Sequence, residues 1–319
     1  MSDPVQFADV EAAARRIAGS IHRTPVITSR ALDELAGRRL YFKCENLQRV
    51  GAFKVRGAMN AVALVKAREN LRAVATHSSG NHGTALALAA RESGLQAIVV
   101  MPRNSAAPKI AAVQRQGARV VLCNPGRIAR EAALAEAVAE SGAEVVHPYD
   151  DARVIAGQGT AALELLEEQP DLDAVIVPVG GGGLLAGTLV AARALRPRLA
   201  VFGAEPAAAD DAVRSLATGE RVLVDAPETV ADGLRASLGV LNFELIRTYC
   251  RAIVTVSEGE IIAAMRRFLE CTKLLIEPSS AVPVAALIGR HLSADYQRVG
   301  VIITGGNVDL DRLPWQEPR

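Results

Sequence analysis

The sequence has no excess of either charge, with 36 Lys and Arg against 35 Asp and Glu over 319 residues. That balance argues against a nucleic-acid binder, which usually carries a basic excess on one face. No apolar run approaches the roughly 18 residues of a membrane span. The first residues, Met1 to Gly19, interleave acids and arginines with alanines and have no apolar signal-peptide centre. Cysteine is sparse. Cys44, Cys123, Cys250 and Cys271 stand far apart, which suggests neither a zinc knuckle nor a disulfide framework. The expectation is four reduced thiols in a cytoplasmic protein. Low-complexity linkers and internal repeats are also missing.

What is present is an abundance of small apolar residues, 50% hydrophobic overall, enough to bury the core of one large or two ordinary domains. Short β-branched runs recur at 73–77, 97–101, 118–122, 143–147, 174–178, 200–203, 253–256 and 299–303. Each is followed by an alanine-rich helical stretch. Near-continuous apolar strands alternating with helices indicate parallel sheet covered on both faces, hence a doubly wound α/β protein. Residues 81–96 read as one such helix, with Gly94 at its stop.

Three glycine-bearing loops follow predicted strands, where parallel sheets bind ligands. They are Ser78-Ser79-Gly80-Asn81-His82-Gly83, Gly180-Gly181-Gly182-Gly183 and Thr304-Gly305-Gly306-Asn307. Successive N–H groups in such loops converge on an anion, and a helix dipole behind them adds attraction. The four-glycine run is therefore expected to hold a phosphate. The same loop also fits a dinucleotide fingerprint, through Gly181, Gly183 and Ala186, with Glu205 as the ribose-binding acid. An NAD-dependent oxidoreductase is thus an alternative, although it leaves the other two loops unexplained. Lys54, in Ala52-Phe53-Lys54-Val55-Arg56-Gly57-Ala58, lies in a small, apolar segment. An amine in such surroundings can lose its proton and act as a nucleophile toward aldehydes.

Phe53-Lys54-x-Arg56-Gly57-Ala58, Ser78–Gly83, Gly180–Gly183 and Thr304–Asn307 together resemble the fold-type-II pyridoxal-phosphate enzymes, and within them the serine/threonine dehydratase and serine racemase group. The motifs span almost the whole chain. The resemblance implies a tryptophan synthase β-like fold of two doubly wound three-layer α/β/α domains. A large domain would comprise 1–72 and 151–319, and a small mobile domain 73–150, in a homodimer. Pyridoxal phosphate would lie between the domains, joined to Lys54 as a Schiff base with Phe53 beside its ring. Gly180, Gly181, Gly182, Gly183 and Leu184 would cradle its phosphate, Asn81 would meet its ring hydroxyl and Thr304 its ring nitrogen. Ser78, Ser79, Gly80, Asn81 and His82, with Arg130, would receive the substrate.

The reaction so implied is β-elimination from a 3-hydroxy amino acid, giving a 2-oxo acid and ammonia. Lys54 would be the base, and Ser79 would stand on the opposite face, where proton return would make the site a racemase. Threonine, serine, hydroxyaspartate and phenylserine share the reacting atoms, so the side chain is left open. Glu205, Ala209 and Asp211 resemble the group's divalent-cation site; hard oxygen ligands suit Mg²⁺, Mn²⁺ or Ca²⁺. Glu277 and Asp232 are weaker candidates for the cofactor's border. The sequence departs from the group at Ala52, where a Ser is usual, and at Arg30 and Val50, which argue against nucleotide activation. The short stretch after Asn307 leaves no room for a regulatory domain.

Overall fold

A computed structural model describes residues 3–68, 70–78, 80–225 and 227–316. In chain order the first elements are α1 (Phe7–Ile17), β1 (Val26–Ile27), α2 (Arg30–Ala36), β2 (Arg39–Cys44) and α3 (Lys54–Lys66). There follow β3 (Ala73–His77), α4 (Asn81–Ser93), β4 (Gln96–Pro102), α5 (Ala107–Arg115), β5 (Arg119–Cys123), α6 (Arg127–Ser141) and β6 (Glu144–Val145). The remainder is α7 (Ala152–Glu168), β7 (Ala174–Pro178), α8 (Gly183–Leu195), β8 (Ala200–Pro206), α9 (Asp211–Thr218), α10 (Val240–Tyr249), β9 (Ala252–Val256), α11 (Glu258–Thr272), α12 (Pro278–Ile288) and β10 (Arg298–Ile303).

Two sheets result. One runs β1-β2-β10-β7-β8-β9 and is parallel except for β1; the other runs β5-β4-β3-β6 and is parallel throughout. The eight predicted strand runs all appear. The helix expected over 81–96 ends at Ser93 because Gly94 takes the left-handed cap, φ 69°. β2 lacks the β-branched signature. It buries Lys43 instead, whose ammonium meets Glu164 at 2.8 Å and the Thr24 carbonyl at 2.6 Å.

The six-stranded sheet is covered on both faces, as its apolar strands require. Ile176, Val299 and Val301 pack on the α11–α12 side, where Phe42 meets Phe268 edge-to-face at 5.2 Å. Val175, Val177 and Ile302 pack on the opposite side with Leu165, Leu185 and Leu189. α3 joins its Val55, Ala58 and Val62 to Leu86 and Ala89 of α4 and to Val99. Among the described residues no helix is long and apolar enough to cross a membrane.

Three helices meet main chain to main chain. A side chain on Gly157 of α7 would fall 2.6 Å from the Gly57 Cα of α3, and one on Gly187 of α8 would fall 2.5 Å from the Ile155 carbonyl of α7. Glycine inside a helix costs about 0.5–1 kcal/mol against alanine. Here it allows a contact that no other residue permits.

Candidate active site

Lys54 opens α3, with its Nζ 2.9 Å from the Pro148 carbonyl, to which it donates, and 5.2 Å from the centre of the Phe53 ring. Burial lowers its pKa to about 8 against an opposing pull from Glu277. A reactive amine near neutral pH follows from that environment. The segment is tied to the end of β10. Ala52 bridges Gly305, the Phe53 N–H donates to the Thr304 carbonyl at 2.9 Å, and the Gly306 N–H donates to the Gly51 carbonyl at 2.9 Å.

Across the site, Gly180 to Gly183 connect β7 to α8. Gly182 takes φ 88° as the cap of α8, and a Cβ on Gly181 would lie 2.3 Å from the Tyr149 ring. Asn242 Nδ2 and the Gly239 N–H donate to the Gly181 carbonyl at 2.6 and 3.0 Å, fixing the loop from behind. Gly181, Gly182, Gly183 and Leu184 are buried, yet their N–H groups donate to no acceptor among the described residues. Buried N–H groups without partners are rare. Four in succession at a helix N-terminus form an anion cradle.

The third loop brings in partners far apart in sequence. The Thr304 hydroxyl is buried, 2.8 Å from Ser280 Oγ. Asn81, first residue of α4, places its Nδ2 3.0 Å from both carboxylate oxygens of Glu277, and its Oδ1 accepts from Asn307 Nδ2 at 2.9 Å. Burial raises the Glu277 pKa to about 7, against the pull of the Asn81 amide.

The family of pyridoxal-phosphate dependent enzymes matches this chain over residues 17–305. The chain belongs to that family. It is 47% identical over 309 residues to the β-hydroxyaspartate dehydratase of Paracoccus denitrificans, covering 97% of this chain and 98% of that protein. The crystal structure of serine racemase from Dictyostelium discoideum superposes with a TM-score of 0.91 at 45% identity, covering 96% of this chain and 99% of that one. The maize serine racemase structure gives 0.94 at 39%, covering 97% and 95%, and a bacterial-type threonine deaminase fold is matched equally well, at 0.90 and 43%. The alternative of an NAD-dependent oxidoreductase falls with this match. Glu205, its ribose ligand, instead accepts from the N–H groups of Val213 and Ala212 at 2.8 and 3.2 Å. For a pyridoxal-phosphate enzyme the residues fit the cofactor, with a low-pKa amine at Lys54 and an unpartnered N–H cradle at Gly181–Leu184.

In this pyridoxal-phosphate enzyme the remaining expected residues fall into three places. Ser78 and Gly80 lead into α4, with the Gly80 N–H 3.3 Å from Ser78 Oγ. Ser79 lies outside the described residues. His82 is buried, its Nε2 3.3 Å from the Val146 carbonyl and its pKa far below the ordinary value through burial. Arg130, in the first turn of α6, donates from Nε to the Gly126 carbonyl at 3.3 Å, and no described carboxylate pairs with it. It influences His77 and Tyr149, which stand with His147 in an edge-to-face stack with ring centres 5.3 and 4.6 Å apart. The His147 Nδ1 accepts the Asp150 N–H at 2.9 Å, which places the proton on Nε2.

Glu205 ends β8 and Asp211 begins α9, both buried, with Ala209 between them. Burial raises Glu205 to about 8 and Asp211 to about 6. Among the described residues no group of three His, Cys, Asp or Glu side chains gathers. The sequence reading missed Ser280, Pro148, Tyr149 and Asn242. Each acts through a contact with a distant segment and carries no local motif.

Proposed function

We propose that this enzyme is an ammonia-lyase of 3-hydroxy amino acids, removing the β-hydroxyl as water and ending in a 2-oxo acid and ammonia. The four buried, unpartnered N–H groups of Gly181–Leu184 facing a low-pKa amine carry this reading. Lys54, Phe53, Asn81, Thr304 and the glycine loop would hold the cofactor, which when bound withdraws electrons from the substrate α-carbon. Lys54 is then the base that takes the α-proton, since a pKa near 8 leaves roughly a tenth of it neutral at pH 7. The loop from Ser78 to His82, at the N-terminus of α4, receives the α-carboxylate.

The far end of the substrate faces the Pro148 side of Lys54. There Arg130 is a cation without an acid partner among the described residues. His77, lowered to about 4 by burial, stays neutral near pH 7. That wall has a net positive charge and suits a second carboxylate, in line with the relative that is a β-hydroxyaspartate dehydratase. Racemisation is the second reading, supported by similarity to serine racemase. Closure of 73–150 over the substrate, a homodimer and a divalent cation at Glu205, Ala209 and Asp211 complete the proposal.

A yellow protein whose visible band borohydride bleaches, and which Lys54→Ala lacks, is expected. Keto acid and ammonia should form from a panel of 3-hydroxy amino acids, fastest with a dicarboxylic member. Enantiomer conversion without keto acid would favour the racemase. A Lys54→Ala protein with full turnover would remove the assignment. An unchanged rate and melting midpoint after exhaustive EDTA treatment would remove the cation.

A further inference from the structure

Ser280, the third residue of α12, is wholly buried and belongs to no motif read from the sequence. Its Oγ accepts the Gly305 N–H at 2.7 Å and lies 2.8 Å from both the Gly305 carbonyl and Thr304 Oγ1. A hydroxyl has one proton to give. With the Gly305 N–H already accepted, the Ser280 proton goes either to the Gly305 carbonyl or to Thr304.

The two arrangements differ in what Thr304 offers the site. When Ser280 donates to Gly305, Thr304 donates to Ser280, and every donor of the pair is matched within the protein. The free lone pairs of Thr304 then face outward as acceptors. When Ser280 donates to Thr304, the Thr304 proton is released outward as a donor. The Gly305 carbonyl still keeps the Glu277 N–H at 2.9 Å, so the exchange moves only two hydroxyl protons. The first arrangement leaves no buried donor unpaired, and an unpaired donor is the costlier outcome.

We propose that Ser280 is a positioning residue that holds Thr304 as a hydrogen-bond acceptor, so that the site favours a protonated pyridine nitrogen on its cofactor. A hydroxyl at Thr304 read alone is a neutral partner of either polarity; Ser280 gives it a direction. A protonated ring withdraws electrons more strongly, so Ser280 bears on how long the α-carbon stays deprotonated before the β-hydroxyl leaves. The inference rests on Thr304 being the neighbour of the ring nitrogen. Glu277, whose carboxylate lies against Gly305, and Lys54, beside Phe53, are the charged groups next to the pair. Both remain in every variant below.

The test is the nitrogen-15 resonance of ring-labelled pyridoxal phosphate in the holoenzyme without substrate, at one pH. Thr304→Val should shift it, and no shift would refute the Thr304 assignment itself. Given that shift, Ser280→Ala should move the resonance toward neutral pyridine, by the equivalent of about one pH unit in the ring titration, the scale of one hydrogen bond. Ser280→Cys, a weaker donor and acceptor of similar size, should move it partway and serves if the alanine variant does not fold. A Thr304→Val shift with none from Ser280→Ala or Ser280→Cys overturns the inference and leaves the Thr304 assignment standing.

Discussion

Arg56 is the deepest charge near the site, two residues past Lys54. Its five N–H donors are all matched. Glu45 receives two at 2.7 and 2.8 Å, Glu164 two at 2.7 and 2.9 Å, and Thr160 one at 3.1 Å. Arg56 and Glu45 have wholly buried side chains. Arg56→Met would leave Glu164 with Lys43 at 2.8 Å, while Glu45 would keep only the Thr24 hydroxyl at 2.5 Å. Breaking a buried pair in this way costs roughly 3–5 kcal/mol. At about 2.1 cal/mol/K per residue, a chain of 319 residues melts with an entropy near 0.7 kcal/mol/K. The midpoint should therefore fall by about 4–8 °C. Arg56→Met with Glu45→Gln removes the stranded charge and should melt above the single variant. Circular dichroism melts at saturating pyridoxal phosphate measure both. A single variant within about 1.5 °C of the parent, or a double variant below the single, would refute the reasoning.

Gly181→Ala places a methyl against the Tyr149 ring and should release the cofactor on dialysis while the circular dichroism spectrum is kept; retention of cofactor at the parental level contradicts the cradle. Lys54, with its pKa lowered from 10.5 to about 8, keeps its proton below pH 8 and loses it above. Cofactor capture by the apoprotein, followed as growth of the visible band, should accelerate as pH rises through about 8 and then level. Val50 is β-branched at φ 54°, a conformation costing about 1–2 kcal/mol. Val50→Asn should raise the melting midpoint by about 1–3 °C.

The strands were legible because a parallel sheet covered on both faces leaves an unbroken apolar run, as in Ala174–Pro178. The anion cradle was legible because four adjacent glycines have few other uses. β2 was not, since the charge of Lys43 hides a strand that Glu164, over a hundred residues later, makes tolerable. Ser280 and the bond from Asn81 to Glu277 were equally hidden. They depend on which loops fold together, and no spacing within one segment records that.

The glycine contacts among α3, α7 and α8 carry a consequence for how such a catalyst can change. Lys54 sits at the head of α3 and the phosphate cradle at the head of α8, and α7 joins the two helices backbone to backbone. The span between reactive amine and anchored anion is therefore set by peptide geometry, as in a jig. Substitutions along the wall near Arg130 and Tyr149 can alter which molecule is admitted while the chemistry stays in register. Drift in selectivity then need not disturb the reacting centre, whereas a single methyl at Gly57 or Gly157 would.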